Sequence, residues 1–143
     1  MSTNTTNVRS GRSVRRLDLV EPELSYHIVG ALFRAYNGLG PGMQEKHYQR
    51  ALAKVLCDLR IAFREQVSVP VLFEHQHIGR HITDFVVADR VVLEIKQGDF
   101  CSPDHIGQVK RYLAALTLHL GILANFGSQR VVYRRILAPV HDS

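Results

Sequence analysis

Cysteine is scarce in this chain. Its 143 residues include two, Cys57 and Cys101, too few for a disulfide framework and without the C-x-x-C spacing of a redox or zinc motif. Cys57 falls within a helical pattern and is expected in the core. Long apolar runs are missing too: the longest, YLAALTLHLGILANFG, is broken by His119 and Gly121, so no segment reads as a membrane span. The first sixteen residues, MSTNTTNVRSGRSVRR, carry four arginines and no apolar h-region, which argues against a secretory signal and leaves the cytoplasm as the expected compartment. They also lack the apolar face of a mitochondrial transit helix. Residues 1–19 read as a disordered basic arm that either touches phosphates or is an inert tail. There is no internal repeat. Acids are outnumbered, 13 against 18 Lys and Arg, and the net charge of +5 favours polyanions over cationic partners.

What remains is an ordinary globular composition, 45% apolar and 22% charged, in a length that suits one domain, residues 20–143. Leu24, Ile28, Ala31, Leu32 and Ala35 recur at helical spacing and predict a helix over 21–38, ended by GLGPG at 38–42. A second helix is expected over 43–60, with Tyr48, Leu52, Val55, Leu56 and Leu59 as its apolar stripe. Glu45 lies on that same stripe, at the edge that packs inward, an unusual place for an acid. The alternation of Val67, Val69, Val71 and Phe73 predicts a strand over 67–75, and Pro70 marks it as an edge or irregular strand. ITDFVVAD and RVVLEIKQ follow as two more strands. Ser102 is a candidate N-cap with Pro103 at the first helical position, opening a helix that runs to about His119. GILANFG and QRVVYRRIL are the last two strands. Helix, helix, three strands, helix, two strands is the order of an α/β domain with a central mixed sheet of about five strands.

The stretch DFVVADRVVLEIK, residues 84–96, places three charges among strand formers. An antiparallel hairpin centred on Asp89 would set Asp84 opposite Glu94, with Cβ atoms about 5 Å apart and the two carboxylates in repulsion unless a cation lies between them. Alternation puts Val92, Glu94 and Lys96 on one face, so Lys96 stands beside Glu94. The register requires an odd-length loop; a two-residue turn would face Asp84 with an apolar residue. Oxygen ligands of this kind suit Mg²⁺ or Mn²⁺, and two acids beside a lysine fit phosphodiester hydrolysis, the lysine acting on the attacking water or on the charge that develops at phosphorus. Taken alone, the E-x-K tripeptide reads as a solvent-facing ion pair.

Other signals carry less. His75, His77 and His81 are close in sequence, but a hairpin turn separates the first from the last, no fourth zinc ligand is spaced to join them, and a solvated turn explains them. His105, one helical turn before Gln108, reads as an exposed helix-start histidine or a phosphate contact. Cys101 has no histidine spaced to activate it. Arg134 and Arg135 face opposite sides of one strand, and Lys110 with Arg111 is either a solvated helix face or a track for a nucleic-acid backbone.

GMQEKHY, residues 42–48, reads G-x-x-E-x-x-Y, and is followed by Asp84, by Glu94-Ile95-Lys96 and by Gln108. With GLGPG, HIGQVKRYL and ILANFG in the same order, the chain from about 25 to 136 resembles the GxxExxY family of the PD-(D/E)XK nuclease superfamily. The resemblance implies a restriction-endonuclease-like fold, a sheet flanked by helices whose acidic cleft binds a divalent cation to cut nucleic acid, DNA more than RNA. It further implies Asp84, Glu94 and the carbonyl of Ile95 as ligands of Mg²⁺ or Mn²⁺, with Glu45 approaching through water. Lys96 is the implied catalytic lysine, and Gln108 would orient it or the substrate. Tyr48 and Tyr112 would support Glu45 and Gln108, or are core tyrosines. Tyr36-Asn37 and Gln44 depart from the Val-His and Leu common in the family, and neither removes a ligand. Two rival readings stand beside the nuclease: a nucleic-acid-binding module that keeps the fold, and a structural ion cluster. With little room for a recognition domain, a homodimer or a protein partner would supply specificity.

Overall fold

The computed structural model describes residues 20–139; the basic arm lies outside them. Two helices lead, α1 (Pro22–Leu39) and α2 (Glu45–Asp58), then strands β1 (Phe63–Phe73), β2 (Gln76–Val87) and β3 (Val91–Gln97), helix α3 (Pro103–Leu116), and strands β4 (Leu120–Phe126) and β5 (Val131–Leu137). The sheet order is β1-β2-β3-β4-β5, with β3 and β4 parallel and every other pair antiparallel. The fold is the mixed α/β sandwich expected of a restriction-endonuclease-like domain. The single parallel pair needs a crossover, and α3 supplies it.

Both faces of the sheet are covered. Ile28, Leu32, Leu52 and Leu56 of α1 and α2 pack on Phe85, Val91, Leu93, Ile95, Ile122 and Phe126, while Val109, Tyr112 and Leu113 of α3 pack on Val69, Val92, Leu123 and Ile136. Alternation along β3 therefore sends Glu94 and Lys96 to the α3 side, with Val92. Gly121 lets α3 come close: a Cβ there would overlap the Val109 side chain. Between α1 and α2, the Tyr48 hydroxyl donates to Gly40 O (2.7 Å) and accepts from Met43 N (3.2 Å), which closes the GLGPG turn around Gly42, at φ +87.

Three expectations need correction. Cys57 is exposed, on the outer side of α2 rather than in the core. The helix expected to reach His119 ends at Leu116, because Thr117 takes a left-handed conformation (φ 57) and caps it. The histidine segment is not an extended solvated turn. The reversal is confined to Glu74 and His75, both at positive φ, and residues 76–81 are already strand β2. Periodicity missed this because every residue from Leu72 to Ile82 is exposed and carries no apolar alternation. Pro70 does sit on an edge strand.

Candidate active site

The β2–β3 hairpin pairs Phe85 with Leu93, Val86 with Val92 and Val87 with Val91, around a three-residue loop in which Ala88 and Asp89 have φ of 53 and 55. This is the odd-length loop centred on Asp89. Continued one step, the register sets Asp84 against Glu94, and there the backbone ladder stops. Side chains replace it: Glu94 Oε1 accepts from Asp84 N at 2.7 Å, and Asp84 Oδ2 accepts from Ile95 N at 2.8 Å. The two acids are thus held by each other's strand.

A change of face in the outer strands produces this. Phe63 packs under α1 and α2 whereas Val69 packs under α3, although both positions are odd. Between them lies Gln66, at φ 52, in the place that register assigns opposite Asp84. Across this break Thr83 and Asp84, consecutive residues, both reach Glu94. Thr83 Oγ1 donates to Glu94 Oε1 at 2.7 Å, on the same oxygen that takes the Asp84 amide, and Thr83 is fully buried. Nothing in the sequence pattern singled out Thr83; strict alternation would have turned it to the opposite face from Asp84.

Glu45, the first residue of α2, accepts from Gln97 N through Oε2 at 3.1 Å, so the acid of G-x-x-E-x-x-Y is tied to the end of the lysine strand. Lys96 Nζ lies 3.8 Å from Glu94 Oε2, an ion pair longer than a hydrogen bond, and its side chain is 23% exposed. Tyr112 is buried on α3. Its hydroxyl is pushed up to about 12, by burial first and then by the charges of Glu94 and Asp84. Gln108 lies one turn earlier on that helix, half-buried, toward the same side. His105, read as an exposed helix-start histidine or a phosphate contact, is half-buried, and its Nδ1 is buried with no partner among the described residues.

Asp84 shows the electrostatic state of the site. Its carboxyl is pushed up to about 7, chiefly by burial and then by the Glu94 charge, with Glu45 adding to the rise and the Ile95 amide and Lys96 opposing it. Each of the three acids has one oxygen fixed by a backbone amide, and among the described residues the other oxygen of each has no hydrogen bond. Among the described residues no three His, Cys, Asp or Glu side chains converge as a ready metal cluster. Glu45 is held by the Gln97 amide, and a cation resting on Asp84 and Glu94 would be completed by a backbone carbonyl and water. That hard-oxygen set, with a mutual repulsion that a positive charge would relieve, fits a divalent cation.

A family model described as the PD-(D/E)XK nuclease superfamily matches residues 22–136. No curated protein matches. Among solved structures, SSO0001 is similar with a TM-score of 0.48 and 12% identity, covering 83% of this chain and 79% of its own. An alkaline exonuclease from Laribacter hongkongensis gives 0.46 and 12%, covering 80% and 82%.

Proposed function

This chain belongs to the PD-(D/E)XK nuclease superfamily, and we propose that it is an active metal-dependent nuclease of the GxxExxY type, acting on DNA in the cytoplasm. The observation that carries the reading is the Asp84–Glu94 pair, held face to face by reciprocal backbone hydrogen bonds with Lys96 beside it. Asp84, Glu94 and the carbonyl of Ile95 would hold Mg²⁺ or Mn²⁺. A cation bound there supplies a Lewis acid for a phosphate oxygen and a lowered pKa for bound water.

The chain's own groups account for the rest. Lys96, on the solvent side of Glu94, is placed to orient the attacking water and to face the negative charge that develops on the phosphate oxygens. Glu45, fixed at the mouth by the Gln97 amide, has a free oxygen for a water. Gln108 reaches from α3 to orient Lys96 or the substrate. Specificity beyond the backbone would come from a second copy or a partner protein.

The direct test is cleavage of labelled single-stranded, duplex and branched DNA and of RNA, with Mg²⁺, Mn²⁺ or EDTA, beside Asp84→Ala and Lys96→Ala. Metal-dependent cutting lost in both variants is the expected result. Salt-sensitive binding without cutting, indifferent to loss of Asp84, would instead identify a binding module.

A further inference from the structure

Asn125 is the penultimate residue of β4, in the otherwise apolar LGILANF, and is 2% exposed. Its Oδ1 is buried and has no hydrogen-bond partner among the described residues. An amide oxygen taken from water without a donor is costly, and a valine or isoleucine would suit a central strand better. The position invites a functional explanation.

Register gives one. In the parallel β3–β4 pair, Asn125 is the partner of Lys96, as Leu123 is of Glu94. Leu123 packs under α3, so Asn125 shares the α3 side with Lys96 and Glu94, one strand spacing away, about 4.8 Å. Its register partner in β5 is Val132, and a Cβ on Gly98 would lie 3.5 Å from its Nδ2. Lys96 brings three N–H groups, none of them engaged more closely than the 3.8 Å approach to Glu94. An acceptor without a donor and a donor without an acceptor thus extend from paired positions on one face, with no hydrogen bond drawn between them in the structure.

We propose that Asn125 is a positioning residue for Lys96, resting on the nuclease reading above for its catalytic consequence. In the structure Nζ leans toward Glu94 and makes no hydrogen bond to Oδ1. With a cation taking up the Glu94 charge, Oδ1 would accept a hydrogen bond from Nζ and aim the ammonium at the phosphate. Without that acceptor, Lys96 stays beside Glu94 Oε2.

Two readouts test this. In steady-state cleavage, Asn125→Leu, close in volume but lacking the acceptor, is expected to lower kcat by roughly ten- to a hundredfold with KM unchanged, the scale of one hydrogen bond to a charged group. In a Lys96→Met background the same change should add nothing. Independently of any cleavage, NMR of protein labelled with ¹⁵N-lysine should show an ordered, slowly exchanging Lys96 ammonium in the wild type with Mg²⁺ present. That signal should be lost in Asn125→Leu and kept in Asn125→Asp, which retains an acceptor. If Asn125→Leu does not fold, Asn125→Ala is read in the same way. An ammonium signal indifferent to residue 125, or equal losses of kcat with and without Lys96, overturns the proposal. A wild type that cuts nothing defeats the nuclease reading alone, and the ammonium signal still decides the contact.

Discussion

At the scale of single residues, Asp84 joins the site's chemistry to the stability of the protein. A carboxyl that titrates near 7 when folded and near 4 when unfolded binds more protons in the native state between those values. The metal-free protein therefore has its full stability from this group below about pH 4 and loses it as pH rises to 7. Asp84→Asn should raise the metal-free stability at pH 8 by on the order of 3 kcal/mol and change it little at pH 4, as urea melts at the two pH values would show. A structural ion cluster makes the opposite forecast, a loss at pH 8. Thr83 offers the complementary case. Thr83→Val keeps the shape but leaves Glu94 Oε1 with the Asp84 amide alone, and about 1–2 kcal/mol of stability should go with the hydroxyl, together with part of kcat. A Thr83→Val variant as stable and as active as the wild type would mean that Glu94 needs no second anchor.

At the scale of elements, periodicity made most of the architecture legible. Both leading helices and the Ser102-Pro103 start of α3, whose Ser102 Oγ accepts from His105 N at 3.1 Å, follow from apolar spacing and turn chemistry. The odd-length hairpin loop was one of two alternatives that the sequence left open, and only with its centre at Asp89 does register arithmetic bring Asp84 against Glu94. Three features were illegible. The exposed start of β2 has no apolar face to pattern, the left-handed turn at Gln66 has no glycine to announce it, and the pairing of Asn125 with Lys96 depends on a crossover register that local sequence does not encode. The close seat of α3 on Gly121 is an element-level property with its own test. Gly121→Ala should push Val109, and with it Gln108 and Tyr112, away from the sheet, costing about 1–3 kcal/mol of stability and lowering activity beyond what the stability loss explains. Thermal melts and kcat measured well below Tm separate the two effects.

At the scale of the molecule, the two ends of the charge distribution differ. The acids of the site are concentrated where β2, β3 and α2 meet, while residues 1–19 carry four of the chain's arginines. Deleting that arm should flatten the salt dependence of nucleic-acid binding by up to about four phosphate equivalents, leaving metal-dependent chemistry on a short substrate intact; titrations across a range of salt would measure the slope. Adding Mg²⁺ should raise Tm in the wild type and not in Asp84→Ala, since a ligand that binds only the folded state stabilises by mass action.

The hairpin of β1 and β2 has a further consequence. From Asp84 outward β2 pairs with β1 and no longer with β3, and past Val71 the residues of both strands are exposed, Phe73 to 60% and Ile78 to 63%. The outer ribbon is mechanically separate from the register that sets the acids. Insertions of two residues in each strand beyond Leu72 would lengthen it by about 7 Å without turning any side chain to the other face. Nature or an engineer can thus vary the reach of this arm as a ruler while the chemistry at its root stays in place.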